Sequence, residues 1–317
     1  MAITLAQARE LSDSKLTTSV IDEFRKSALL DRIPFDNCVK PQGGKTMAYV
    51  YNRISTLPSA DVRAINAKYT PHEAVTTQHT VNLKVFGGSF QVDRVIAQDE
   101  VQVVDHVLFQ IGQKTKATIA KFHDMFINGD SGIGAGTEFD GLDKALTGSS
   151  TELTPTSPID LNSSGDIDSN WKVFLDNLRR LRALMDGAPT LYLMNNDMLS
   201  VFQSVMDRAG INLASKDTYG NETYQWGPSL VIALGDKAGT SLPVIETAVA
   251  GTTSIYAVRL ALDGVHGVSP EGSKLVKEYL PDMTLPGAVK TGEVEMVAAM
   301  AVKATRSAAV LRNVLIA

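Results

Sequence analysis

The side chains best spaced for chemistry lie between Asp160 and Trp171, in the run DLNSSGDIDSNW. Asp160, Asn162, Ser164, Gly165, Ile167 and Asp168 fall where a helix-flanked calcium loop wants its oxygen ligands, its turning glycine and its apolar anchor. The set is incomplete, because Trp171 stands where the closing bidentate glutamate belongs and Pro155 and Pro158 leave no room for a preceding helix. The expectation is a surface turn without a specific calcium site, with Asp168 or Ser169 capping the helix that follows. A second candidate is Ser131, in the run Gly-Asp-Ser-Gly, which could present a nucleophile; no matching His and Asp motifs accompany it, so no triad is expected. The wider glycine run, Gly129 to Gly136, follows a helical pattern, whereas a phosphate-binding loop follows a strand and opens a helix, so it reads as a plain turn. His72, His79, His106, His123 and His266 show no metal-ligand spacing, and Cys38 is the single cysteine, which excludes an intrachain disulfide. No catalytic, cofactor-binding or metal-ligating residue is assigned from these patterns.

The composition points the same way. A chain of 317 residues with 44% hydrophobic and 21% charged residues should fold around a substantial core, in more than one region. A net charge of -5 argues against a surface built to grip nucleic acid, and the basic spot at Arg179, Arg180 and Arg182 reads as a solvated helix face. The N-terminal stretch lacks the basic-then-apolar pattern of a secretory signal, and no apolar run is long enough to span a bilayer. Both features suggest a protein made and used in the cytosol, or in something assembled there.

The elements that would position any site follow from periodicity. The arm at residues 3 to 33 carries short amphipathic helical patterns, with Leu5, Ala8 and Leu11 and then Leu16, Val20, Ile21 and Phe24, ended at Pro34. From Thr46 the period is two: Met47, Tyr49 and Tyr51, later His79, Val81, Leu83 and Val85, then Phe90 and Val92, with Gly87-Gly88 as a tight turn or a bulge. Between these strands Asn52 to Thr76 is polar and mixed, a projection that needs a neighbour to order it. Glu100 to Asn128 is the axis of the chain. Val101, Val104, Leu108, Ile111, Thr115, Ile119, Phe122 and Phe126 form one stripe of a long strut helix, closed at Gly129 by a left-handed glycine. An α/β region follows: a helix over Asn170 to Asp186 stopped by Gly187, a strand over Thr190 to Met194, a helix capped by Asn195 or Asn196 and ended by Gly210. Strands are expected at Ser229 to Leu234, Leu242 to Thr247, Thr253 to Leu262, Gly292 to Ala301 and Ala309 to Ile316.

This order, together with VIDEFRKSALLDRIPF, LKVFGGSFQVDR, FINGD followed by EFDGL, TSIYAVRL, DGVHGV and SAAVLRNVLIA, resembles the major capsid proteins of tailed bacteriophages. Their Hong Kong phage-type shell fold is shared with encapsulins. The resemblance implies an α+β chain with an N-terminal arm at 1–45, an extended β-hairpin E-loop at 46–96, a peripheral domain with the spine helix at 97–145 and 287–317, and an α/β axial domain at 146–286. It implies a structural subunit, not an enzyme, that assembles with itself as pentamers and hexamers into an icosahedral head enclosing double-stranded DNA. Implied partners are a portal, a separate scaffold, since the arm begins directly at Met1, and in some relatives decoration proteins; no cofactor and no membrane are implied. The place is the virion capsid, assembled in the host cytoplasm. Some relatives join subunits covalently through an E-loop lysine, and Lys68 lies in that region, but no acidic helper can be placed and the linkage is not carried over. Two other readings stay open: an encapsulin-like compartment, and an α/β enzyme with its site at the strand ends of residues 190–262.

Overall fold

The computed structural model describes residues 29–38, 46–97, 106–133, 136–211, 214–216, 222–270 and 275–317. The helical arm expected over residues 3 to 33 therefore lies almost wholly outside the described residues, as do Val101 and Val104 of the strut. In chain order the strands are β1 (Phe35–Asn37), β2 (Ala48–Thr56), β3 (Val75–Asn82), β4 (Lys84–Asp93), β5 (Glu152–Leu153), β6 (Ile159–Asp160), β7 (Leu191–Met194), β8 (Ala214–Lys216), β9 (Glu222–Trp226), β10 (Ser229–Ala233), β11 (Thr252–Val258), β12 (Val265–Ser269), β13 (Val276–Tyr279), β14 (Val289–Val302) and β15 (Ala308–Leu315). The helices are α1 (Arg94–Ala97), α2 (His106–Asn128), α3 (Leu142–Leu146), α4 (Ser164–Ala183) and α5 (Asn196–Arg208).

The strut helix is α2. Its buried stripe is narrow at first, with Ile111 buried but Leu108 exposed, against the even stripe expected. It broadens towards the end, where Phe122, Met125, Phe126 and Ile127 are all enclosed. The helix packs across a five-stranded sheet in which β14 is central: β4 pairs along one side of it, and β13 and β12 share the other, with β1 beyond β12. The expectation at Gly87-Gly88 fails here, because β4 pairs with β14 without a register break from Lys84 to Asp93, with neither a hairpin nor a bulge. The glycine is needed for proximity, since a Cβ on Gly87 would lie 1.9 Å from the Val294 carbonyl oxygen.

Gly129 follows the same logic. It is absent from the positive-φ glycines, so it is not the left-handed cap expected of it. A Cβ there would lie 2.3 Å from the Phe139 carbonyl oxygen, and one on Gly141 would lie 2.5 Å from the Ile127 carbonyl oxygen. The chain crosses itself at these two glycines, and the Gly141 N–H donates to the Gly129 carbonyl at 2.7 Å. Side chains on either strand of the crossing would force it apart.

The larger sheet has eight strands in the order β5-β15-β11-β7-β10-β9-β8, with β6 also on β15. Helices α4 and α5 cover one face, burying Phe174, Leu178, Leu181, Phe202 and Val205 against Tyr192, Ile255 and Leu311. The other face shares a core with the strut: Leu191, Leu193, Val258 and Val310 cluster with Phe122, Phe126 and Leu142. Between β14 in one sheet and β15 in the other lies only the short turn around Thr305–Ser307, so the chain passes directly from sheet to sheet. Arg312 of β15 adds a polar tie, donating to Asp143 at 2.7 Å and to Glu152, while the Tyr256 hydroxyl donates to Asp143 at 2.8 Å.

Helix α4 begins earlier than expected. Ser163 is its cap, accepting from the Asp166 N–H at 3.2 Å, and Asp168 and Ser169 are already helical. Ser163 wins because Leu161 is held in place, its N–H donating to the Leu315 carbonyl at 2.8 Å, which sets where the chain can turn. The calcium-loop string is thus a two-residue strand running into a helix. The strand expected at Leu242 to Thr247 is irregular, and its bridge pairs Pro243 with Asp236, which lies beyond the end of β10 and outside any strand. There the chain folds over the end of α5, and Asn195 holds it: its side chain caps α5 by accepting from the Met198 N–H at 2.7 Å and donates to the Ile245 carbonyl at 3.2 Å.

Candidate interaction surface

Strands β2 and β3 form a separate two-stranded ribbon, paired from Ala48 with Asn82 to Thr56 with Val75. Every residue from Ile54 to Gln78 is exposed. The tip is richer in bare apolar surface than its polar composition suggests, for Leu57 is 80%, Ile65 91% and Val62 fully exposed, with Tyr69 beside them. Local order there is slight: Asn66 turns at φ +71°, the Arg63 guanidinium sits 5.2 Å from the Tyr69 ring centre, and His72 lies 3.2 Å from Asp61. An isolated ribbon of this kind is marginal in water. Concentrated exposed apolar side chains of this sort mark contact surfaces.

The root of the ribbon is held by side chains. Tyr49 donates to Asp36 at 2.7 Å, Tyr51 to the Val302 carbonyl at 2.8 Å, and Arg53 to the Lys303 carbonyl at 2.9 Å and to that of Val302. Burial and the bond to Asp36 push the Tyr49 phenol well above its usual range, so it stays a donor. His79 stacks on Tyr51 with ring centres 5.5 Å apart. None of these roles was readable from sequence, where Tyr49 and Tyr51 were simply alternating strand residues; the partners of Tyr51 and Arg53 lie some 250 positions away.

The other residues considered for chemistry are placed as follows. The Ser131 hydroxyl lies 3.2 Å from the Lys144 ammonium, and Lys144 pairs with Asp130 and, at 2.7 Å, with Asp140. Both carboxylates raise the lysine above its usual range, keeping it protonated, so it cannot take a proton from Ser131. His123 is buried in the strut and pushed by burial to about 4, and Cys38 is buried and pushed up to about 11. His266 is buried beneath Tyr49, far along the chain from His123, and His72 and His79 ride on the ribbon. Among the described residues no group of three or more His, Cys, Asp or Glu side chains is arranged to hold a metal ion. Nor, among the described residues, is any helix long and apolar enough to cross a membrane. Arg179 pairs with Asp176 at 2.9 Å on the exposed face of α4.

No protein-family model matches the chain, and no curated protein matches it. Solved structures do. The SrpI encapsulin of Synechococcus elongatus aligns over 99% of this chain and 96% of its own, with a TM-score of 0.66 at 15% identity. The capsid of a native GTA particle covers 98% of this chain and 100% of its own, with a TM-score of 0.58 at 12% identity. The capsid of Myoviridae phage XM1 covers 98% and 99%, with a TM-score of 0.58 at 12% identity. Likeness at such identities is a likeness of fold, and it runs almost the whole length of the chain in each case: spine helix, ribbon and both sheets together make this the Hong Kong phage-type capsid fold.

Proposed function

We propose that the chain is the major capsid protein of a tailed bacteriophage, a structural subunit that assembles with itself as pentamers and hexamers into an icosahedral head around double-stranded DNA. The observation that carries this reading is the ribbon, an exposed apolar-tipped projection without a core, on a chain whose structural neighbours are shell proteins. In this reading residues 1–45 act as the arm, 46–96 as the E-loop, 97–145 with 287–317 as the peripheral domain and 146–286 as the axial domain around the capsomer centres. The subunit works without catalysis, in the virion capsid, after assembly in the host cytoplasm with a portal, a separate scaffold and, where present, decoration proteins. DNA lies against the wall without specific contacts, which suits a net charge of -5.

A second reading, an encapsulin-like compartment around a protein cargo, is favoured by one observation, the higher TM-score of 0.66 to the encapsulin. Electron microscopy of the protein expressed alone and with any adjacent scaffold gene tests both. Closed shells, or pentameric and hexameric rings, are expected. Shells that hold DNA when made in infected cells support the phage head, and shells that co-purify with one enzyme support the compartment. Small oligomers under every condition, with a turnover activity, would overturn both.

A further inference from the structure

The ribbon shares no ladder hydrogen bonds with the five-stranded sheet, although β3 runs into β4 through the single residue Leu83. It is docked by side chains, and the innermost contact is an unusual one. Tyr49 meets the His266 ring edge-on with centres 5.6 Å apart, and His266 is fully buried with neither ring nitrogen hydrogen-bonded. A buried imidazole that finds no partner is a costly arrangement for a polar group. Four charged or titratable groups face it from the surrounding elements. Asp36 comes from β1 and Tyr49 from β2; Asp263 comes from the turn ahead of β12, and Lys303 from just beyond β14. Asp263 is neutralised by Arg259, which holds both carboxylate oxygens at 3.0 and 3.1 Å, and Asp36 is engaged by Tyr49 and lies 4.0 Å from the Lys303 ammonium. The Gly264 carbonyl faces the ring without closing a hydrogen bond, and it already accepts from the Lys303 N–H at 3.0 Å. Asp36, Asp263 and that carbonyl favour a proton on the ring, but burial and the Lys303 ammonium outweigh them.

We propose that this contact is a proton-operated latch, in which the neutral His266 ring seats Tyr49 and the ribbon against β12, and a proton on that ring frees the ribbon to swing about Leu83. The direction follows from linkage. Burial first, then the Lys303 cation, hold His266 below the usual histidine range, whereas the ring exposed by an open root returns to that range. The docked root therefore keeps its full advantage above about pH 6.5 and loses it as the pH falls from there towards the lowered value. Each unit of lowering allows up to about a tenfold rise in the open fraction.

Amide hydrogen exchange on the full chain, corrected for the intrinsic pH dependence of exchange, reads the latch between pH 7.5 and 4.5. Peptides spanning 46–56 and 75–83 should lose protection several-fold on acidification, while those spanning 191–208 hold theirs. His266→Gln should remove that dependence, and His79→Gln, which takes away the other ring at the root, should leave it in place. Lys303→Met spares the backbone carbonyl that Arg53 uses and deletes the cation, so it should move the midpoint to higher pH. This variant decides the matter even if His266→Gln misfolds. A ribbon with flat protection, a dependence that vanishes in His79→Gln, or a midpoint unmoved in Lys303→Met would overturn the latch.

Discussion

The eight-stranded sheet and the β2–β3 ribbon are both built from alternating strands, yet one is enclosed and the other is bare. Strands β7 and β11 carry helices on one face and the strut on the other, so Leu191, Leu193, Ile255 and Ala257 have no contact with solvent. Strands β2 and β3 are uncovered beyond their root, where Tyr49, Tyr51 and Val81 lean on the core, and are fixed to the body by two tyrosines and an arginine at that end. The contrast separates two uses of a strand. A covered strand makes the subunit stable, and an uncovered one of this length serves, in the proposed function, as half of a contact.

The largest effect that would test this contrast belongs to the enclosed region. Phe202→Ala removes a ring packed edge-on against Phe174 at 6.0 Å and should cost the isolated subunit about 3–5 kcal/mol, seen as a large drop in melting temperature. Acid should weaken the body next. His123 is neutral in the fold at about 4 against an ordinary 6.5, so the stability it protects is complete above about pH 6.5 and is lost as the pH falls towards 4. The loss reaches about 3 kcal/mol, and pH-dependent melting of His123→Leu should lack that component. Gly141→Ala should cost about 1–3 kcal/mol, because its Cβ would press on the Ile127 carbonyl at the crossing and the backbone must yield. The smallest effect on stability is expected from the ribbon. Replacing residues 57–74 with a Gly-Ser linker should leave circular dichroism and melting near native, while sedimentation velocity shows large particles lost. If the shortened protein assembles normally, the ribbon is not a contact element; if it unfolds, the ribbon belongs to the subunit's own core.

Much of the body was legible because its signals are local. The Phe122 and Phe126 spacing announced the strut, Asn195 announced the cap of α5, and Gly210 closes that helix at φ +67° as expected, whereas α4 ends at Ala183, short of Gly187. The errors occur where a distant chain decides. Ser163 caps α4 in place of Asp168 because β15 pins the preceding residues. Gly87 and Gly129 are glycines because another backbone passes within a Cβ's reach, which leaves no local trace to distinguish them from turn residues. The candidate surface was half legible. The ribbon's lack of a core follows from composition, but its root depends on the Val302 and Lys303 carbonyls and on His266, and a carbonyl has no letter in the sequence.

The continuous ladder between β4 and β14 has a mechanical consequence. A pull on the ribbon in line with β4 passes through Leu83 and loads ten residue pairs in shear, so they resist together rather than one after another. A sideways pull meets the side-chain anchors on Asp36, Val302 and Lys303, which can let go singly. The projection should thus be compliant in bending and stiff in tension, which in the proposed shell would let it tolerate changes of angle between neighbouring subunits while resisting their separation.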